Sequence, residues 1–201
     1  MKLTIIGASG HGKVVADIAR LNGYDEIEFL DDNTKLQSCG KWPVVGTSDH
    51  AAEIENDLFV AVGNAAIRER IMERLRDKHL VTLIHPSAVI AEDVEIGVGS
   101  VVMAGAVINP GTRIGKGCII NTSSSVDHDC VLGDYAHVAV GSHLAGTVSV
   151  GKGTWIGAGA TVSNNISICD SCMIGAGTVV IQNVLEQGVY VGVPAVRLSN
   201  R

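Results

Sequence analysis

The chain has 201 residues, with 15 basic and 21 acidic side chains and a net charge of −6. That length allows one or two domains, and without a dense Lys/Arg cluster a nucleic-acid partner is disfavoured. The N-terminal apolar run is too short for a signal peptide and no stretch reaches transmembrane length, so membrane insertion is disfavoured and a cytoplasmic location is expected.

Residues 1–84 read as a small α/β domain. Leu3–Ile6 is apolar and β-branched, which predicts a strand. Gly7–Gly12, GASGHG, reads as a turn, and Lys13–Asn22 has helical spacing of apolar residues, closed by Gly23. Ile27–Leu30 predicts a second strand, ending in Asp31 and Asp32. An irregular stretch follows. Leu58–Val62 predicts a third strand before Gly63, Ala65–Lys78 a charged amphipathic helix, and Val81–Ile84 a fourth strand. Alternating strands and helices argue for a parallel, Rossmann-like sheet.

A glycine turn between strand and helix presents N–H groups to a phosphate. Three binding readings compete here. The loop is GxxGxG, out of order for a dinucleotide fingerprint. It is a near miss for a P-loop, because Val14 stands where Ser or Thr should meet Mg²⁺. The third reading is a nucleotide diphosphate held without hydride chemistry. Against all three stands a plain tight turn. Asp31 and Asp32 sit where an acidic pair accepts hydrogen bonds from a ribose or base, and Gly63 lines the same crevice; solvated turn residues are the alternative.

From Pro86 to Ile181 the chain divides into sixteen hexapeptides without a slip in register. The fifth place is always Ile, Val or Leu, and the third is small or β-branched. A fixed repeat of this kind predicts a solenoid. Each hexad contains one short strand and one bend, with third and fifth places facing inward. Three faces make the smallest closed prism, so residues 18 apart should stack. Bend glycines 97, 99, 105, 115, 117, 133, 151, 153, 157 and 175 are expected at positive φ. Cys118, Cys130 and Cys172 fall at the inward third place and read as core fillers, while Cys39 and Cys169 have no pairing logic. A zinc or redox role for the CDSC segment is disfavoured. The tail, residues 182–201, breaks the repeat, and Val189–Ala195 looks like a final strand and turn.

Chemistry concentrates in two adjacent hexads, HDCVLG and DYAHVA. His128 should face outward at a bend, and a neighbouring carboxylate, Asp129, can fix its tautomer and raise its basicity. His137 and His143 also face outward; a solvated histidine is the plain alternative for each. Stacking places Gly146 one coil above His128, where its N–H could donate to an oxyanion. Val140, Ala158 and Ala176 form a small-residue column, with His137 at its lower end. A three-histidine metal site finds no third outward histidine in the stack, and no metal is expected.

These residues carry a resemblance. The segments IIGASGHGKVV, FLDDN, AVGNAAIRERI, LIHPSAVIA, NTSSSVDHDCVLGDYAHVAVGSHLAG and GVYVGVPAVRL resemble the hexapeptide-repeat sugar acetyltransferases of bacteria: the bacillosamine-pathway, perosamine and sialic acid group. The resemblance implies a left-handed parallel β-helix over residues 85–201, assembled as a homotrimer. It implies acetyl-CoA-dependent N-acetylation of the 4-amino group of a nucleotide-linked sugar, UDP being the expected nucleotide. By the same token His128 is the general base, Asp129 raises its basicity, and Gly146 lies at the thioester. Asp129 stands where some members carry Glu. Ser9, Gly10, His11, Asp31, Asp32 and Gly63 would hold the sugar nucleotide, and His137, Ala158 and Ala176 would contact acetyl-CoA. Two alternatives remain: O-acetylation of a sialic acid or related sugar, and a non-catalytic scaffold that binds a sugar nucleotide.

Overall fold

The computed structural model describes residues 1–198. The chain forms two compact units, Met1–Pro86 and Ser87–Arg201, and the last three residues of the tail lie outside the described region.

In the first unit, β1 (Lys2–Ile6), α1 (Gly10–Leu21), β2 (Glu26–Leu30), β3 (Ser38–Cys39), β4 (Trp42–Gly46), β5 (Asp57–Val60) and α2 (Ala65–Arg74) follow in order. The sheet order is β3-β4-β2-β1-β5, with β1 parallel to both β2 and β5. Leu3, Ile5, Phe29 and Leu58 are fully buried, and Val15 and Ala19 bring the apolar stripe of α1 into the same core. The sheet turns from one side of β1 to the other, so the carboxyl ends of β2, β1 and β5 form a switch point, the usual crevice for a ligand in such sheets.

Several expectations need correction here. The helix expected from Lys13 begins at Gly10, inside the glycine loop, because Ser9 takes the extended N-cap conformation. The stretch read as irregular holds the antiparallel β3–β4 hairpin and a 3₁₀ turn at Ser48–Glu53. The strand expected from Leu58 to Val62 spans Asp57–Val60. The second helix ends at Arg74 rather than Lys78. Of the fourth strand only Leu83–Ile84 remains, with Leu80 bridged singly to Leu58.

The second unit is a left-handed parallel β-helix. Each hexad gives a two-residue strand, and from Val89 to Val162 each pairs in parallel with the one 18 residues on, as Val107 with Ser125, Ser125 with His143 and His143 with Thr161; at the end the spacing shortens to 16, Met173 pairing with Val189. Three parallel sheets result. The fifth-place aliphatics from Val102 to Val180 line the interior and are 4% exposed or less. Third-place hydroxyls survive in this core because backbone satisfies most of them, Thr178 Oγ1 being the exception without a partner among the described residues. Ser100 Oγ donates to the Gly115 carbonyl at 3.0 Å and accepts from the Cys118 N–H at 2.9 Å. Cys118 and Cys130 repeat the first of these bonds with sulfur, donating at 3.3 Å to Gly133 and Ala145. A buried polar atom paired in this way carries little penalty.

The bend glycines divide into two kinds. Second-place residues take positive φ, including Gly99, Gly105, Gly117 and Gly153, and also non-glycines such as Asp129 and Tyr135. Gly97, Gly115, Gly133, Gly151, Gly157 and Gly175, expected at positive φ, do not. They are sixth-place residues pressed against the next coil: a Cβ at Gly133 would stand 2.7 Å from the Lys152 nitrogen. Their requirement is space rather than handedness. The cysteine reading also changes at one point. Cys169 and Cys172 flank one bend, which brings their sulfurs to 3.3 Å. No cluster of three or more metal-ligating side chains occurs among the described residues.

The tail closes the prism as expected and then goes further. Val189–Val191 adds to the sheet in parallel, and Val196–Arg197 returns antiparallel to it.

Candidate active site

The hexad bend places His128 on the outside of the second unit, exposed. Its Nδ1 lies 2.8 Å from Asp129 Oδ2. An ionised carboxylate only accepts, so Nδ1 carries the proton and Nε2 keeps its lone pair. The hydrogen bond to Asp129, with the charges of Asp127 and Asp129, raises the His128 pKa above its ordinary value. Asp129 reaches the imidazole despite being shorter than Glu because it sits at φ 58°, a left-handed conformation that turns it back along the chain. Asp tolerates that region better than most residues. Room for it comes from the coil below, where a Cβ on Gly111 would collide with Asp129 Oδ1.

Gly146 lies on the coil above. The Thr147 N–H donates to the His128 carbonyl at 2.8 Å and locks the two coils in register. A Cβ on Gly146 would fall on the imidazole, 2.6 Å from Cε1 and closer still to Nε2. The Gly146 N–H has no acceptor among the described residues. The Nε2 lone pair thus lies against Gly146, a residue whose main-chain N–H is uncommitted among the described residues, a pairing that suits proton removal from a nucleophile beside stabilisation of an oxyanion.

His137 is half-buried rather than turned freely to solvent. Its Nε2 accepts from the Asn121 amide at 3.1 Å, and its ring stacks on Trp155 with centroids 5.4 Å apart and planes within 4°. Ala158 and Ala176 are exposed and follow Val140 up one edge, joined through Gly159 N–H to Val140 O and Gly177 N–H to Ala158 O. His143 Nδ1 lies 2.8 Å from Ser125 Oγ.

In the first unit the glycine loop joins its neighbours on both sides. Gly7 N–H donates to Leu30 O at 2.8 Å, and a Cβ on Gly7 would meet Ala61 O at 2.7 Å. Asp31 Oδ2 accepts from the Ala8 N–H at 2.7 Å, and its Oδ1 from the Asn33 N–H at 2.8 Å. Asp32 Oδ1 accepts from the Ser48 N–H at 2.9 Å, which holds its pKa low. Both carboxylates therefore shape the loops around the crevice. Ser9 and Gly10 are exposed at the start of α1, and Gly63 is open on its side-chain face. His11 is half-buried with its Nε2 shut off from solvent and without a partner among the described residues, and this burial, with the Arg68 charge, pushes its pKa down to about 4. Arg68 itself is buried and donates to the carbonyls of Val62 and Gly63 at 2.7 and 2.9 Å.

Asn109, Asn121, Asp127 and Trp155 were not singled out by the sequence reading. The 18-residue spacing carried a signal for three of them, since it stacks Asn109 beneath Asp127 and His137 beneath Trp155.

A parallel β-helix with an outward imidazole–carboxylate pair under an uncommitted main-chain N–H is the architecture of a hexapeptide-repeat acyltransferase. The chain belongs to the sugar N-acetyltransferase family of that class. Residues 2–75 match the PglD N-terminal domain, and residues 147–182 match the bacterial transferase hexapeptide (six repeats). The acetyltransferase domain of PglB from Neisseria gonorrhoeae, solved with acetyl coenzyme A, is 40% identical with a TM-score of 0.95, covering 98% of both chains. PerB from Caulobacter crescentus, solved with CoA and GDP-perosamine, is 37% identical with a TM-score of 0.93, covering 99% of this chain and 98% of that one. The UDP-N-acetylbacillosamine N-acetyltransferase of Bacillus subtilis is 37% identical over 110 residues, a match that spans 51% of either protein.

Proposed function

We propose that this chain transfers the acetyl group of acetyl-CoA to the 4-amino group of a nucleotide-linked amino-deoxy sugar, with UDP as the nucleotide, in bacterial glycan biosynthesis. The observation that carries this reading is the free Nε2 of His128 set against Gly146. The relatives solved with acetyl coenzyme A, or with CoA and GDP-perosamine, support it.

The reaction is a direct transfer. The sugar amine attacks the thioester carbonyl carbon, and His128 Nε2 takes the proton that the nitrogen sheds. The Gly146 N–H donates to the carbonyl oxygen as it gains negative charge. The C–S bond then breaks, and CoA leaves as the thiol, its sulfur receiving the proton that His128 Nε2 had taken. Asp129 stabilises the imidazolium formed in the process. In this reading Ser9, Gly10, His11, Asp31, Asp32 and Gly63 serve the sugar nucleotide, the two aspartates by shaping its crevice. His137, Ala158 and Ala176 serve acetyl-CoA. Residues 1–84 are the sugar-nucleotide domain and 85–201 the acetyltransferase domain. The protein works as a homotrimer in the cytoplasm; no described helix is long and apolar enough to cross a membrane.

The test is thiol release from acetyl-CoA in the presence of UDP-, GDP- and dTDP-linked 4-amino sugars, with a free sialic acid as control. Release with a UDP-amino sugar and an N-acetyl product is expected. Turnover of the sialic acid alone would replace this reading with O-acetylation, and no release with any acceptor would remove the enzyme assignment.

A further inference from the structure

The base is flanked by a second carboxylate that the transfer chemistry does not require. Asp127 precedes His128 at the sixth place of its hexad. Its Oδ1 accepts the His128 N–H at 2.8 Å and, at 2.8 Å, the side-chain amide of Asn109 from the coil below. The Asp127 carbonyl is held in turn by Thr112 Oγ1 at 2.9 Å. Asn109 and Asp127 are 18 residues apart, so the stacking of the coil itself aligns amide and carboxylate. We propose that Asn109 is a positioning residue: by fixing the Asp127 carboxylate on the His128 main chain, it holds the imidazole between two placed negative charges.

This inference rests on the reading of His128 as the base. It explains why a carboxylate that never touches the ring is kept in one place. Asn109 donation is the largest of the influences that hold the Asp127 pKa below its ordinary value, and the charge of Asp127 raises that of His128. The coil below presents Asn109, Pro110 and Gly111 to the histidine, and the coil above Ala145, Gly146 and Thr147. None of these titrates, so the charges that set its basicity are those of its own coil, Asp127 and Asp129.

The experiment compares Asn109→Ala, Asp127→Asn and the parent protein by two readouts. The first is the pH profile of kcat/KM with separate kcat and KM values. The second is the titration of His128 by NMR, its signal assigned by loss in His128→Ala. Both substitutions should lower the His128 pKa, move the acid limb of the profile to lower pH, and reduce kcat about tenfold, part of the ~10²–10⁴ that a general base supplies. KM for both substrates should stay within about twofold, since the lost effect belongs to the transition state. An unchanged His128 titration and unchanged kcat in both variants would overturn the proposal, whatever happens to thermal stability. Because the titration is read without turnover, it stands apart from the question of whether His128 is the base, which His128→Ala answers separately.

Discussion

Gly146 stands one coil above His128, so close that a β-carbon would overlap the imidazole at Nε2. The register between these coils is fixed by the Thr147 N–H on the His128 carbonyl. Gly146→Ala should therefore leave the coil folded while displacing the ring. Gly146 does not occupy the positive-φ region, so backbone strain does not confuse the result. The expected loss in kcat is about 10²-fold, the lower end of what a displaced general base forfeits. Circular dichroism and acetyl-CoA binding should match the parent protein. Full activity in this variant would show that the space between Gly146 and His128 is not where the reaction occurs.

Asp129→Asn should separate charge from shape. Asn tolerates the left-handed conformation found at residue 129. The hydrogen bond to Asp129 is the largest cause of the raised His128 pKa. With the charge gone that pKa falls, the base stays deprotonated to lower pH, and the acid limb of kcat/KM shifts down. The Asn amide can also favour the wrong tautomer, so kcat should drop. A pH–rate series on the two proteins decides this, and an acid limb that stays in place contradicts the assignment.

His11 predicts an acid lability of the first unit. In the unfolded chain it protonates near pH 6.5, but in the fold only near pH 4. Unfolded chains thus bind the proton first as pH falls. Stability is lost between about pH 6.5 and pH 4, reaching about 3 kcal/mol for a shift of that size. Denaturant unfolding of His11→Gln should show a flatter pH dependence than the parent across that window. Parallel curves would mean that His11 is not held neutral by burial.

The prism interior should be intolerant of cavities. Ile156 is a fifth-place residue with no exposed surface. Ile156→Ala should destabilise the second unit by about 2–5 kcal/mol, the cost of a buried large-to-small change. Equilibrium unfolding measures it, and a loss below about 1 kcal/mol would mean that the coil repacks more freely than close packing allows.

The coil was legible because its signal is repeated. The inward places from Val102 to Val180 carry the same instruction at fixed spacing, and stacking by 18 follows from the period. The same period sets Gly146 over His128 and aligns Val140, Ala158 and Ala176 along one edge. The glycines were legible only by half, since the sequence does not tell a positive-φ glycine from one that yields space to the next coil. The β3–β4 hairpin was missed because Ser38–Cys39 is too short to carry a period, and Pro43 lies within Trp42–Gly46. The dual role of Asp31 was out of reach for another reason. Its bond to the Ala8 N–H joins residues 23 apart, and only the parallel pairing of β1 with β2 brings them together. Trp155 over His137 was deducible from the spacing, but a stack depends on rotamers that spacing does not set.

The central claim is that His128 Nε2 removes the proton from the acceptor amine. The direct measurement is steady-state turnover of His128→Ala with acetyl-CoA and the preferred nucleotide-linked amino sugar, beside calorimetric binding of acetyl-CoA. The account predicts a kcat lower by about 10²-fold or more, the range of general-base catalysis, with acetyl-CoA affinity retained. A variant that binds acetyl-CoA normally and keeps a kcat within about tenfold of the parent would contradict it, because no single base of that rank could then be at work.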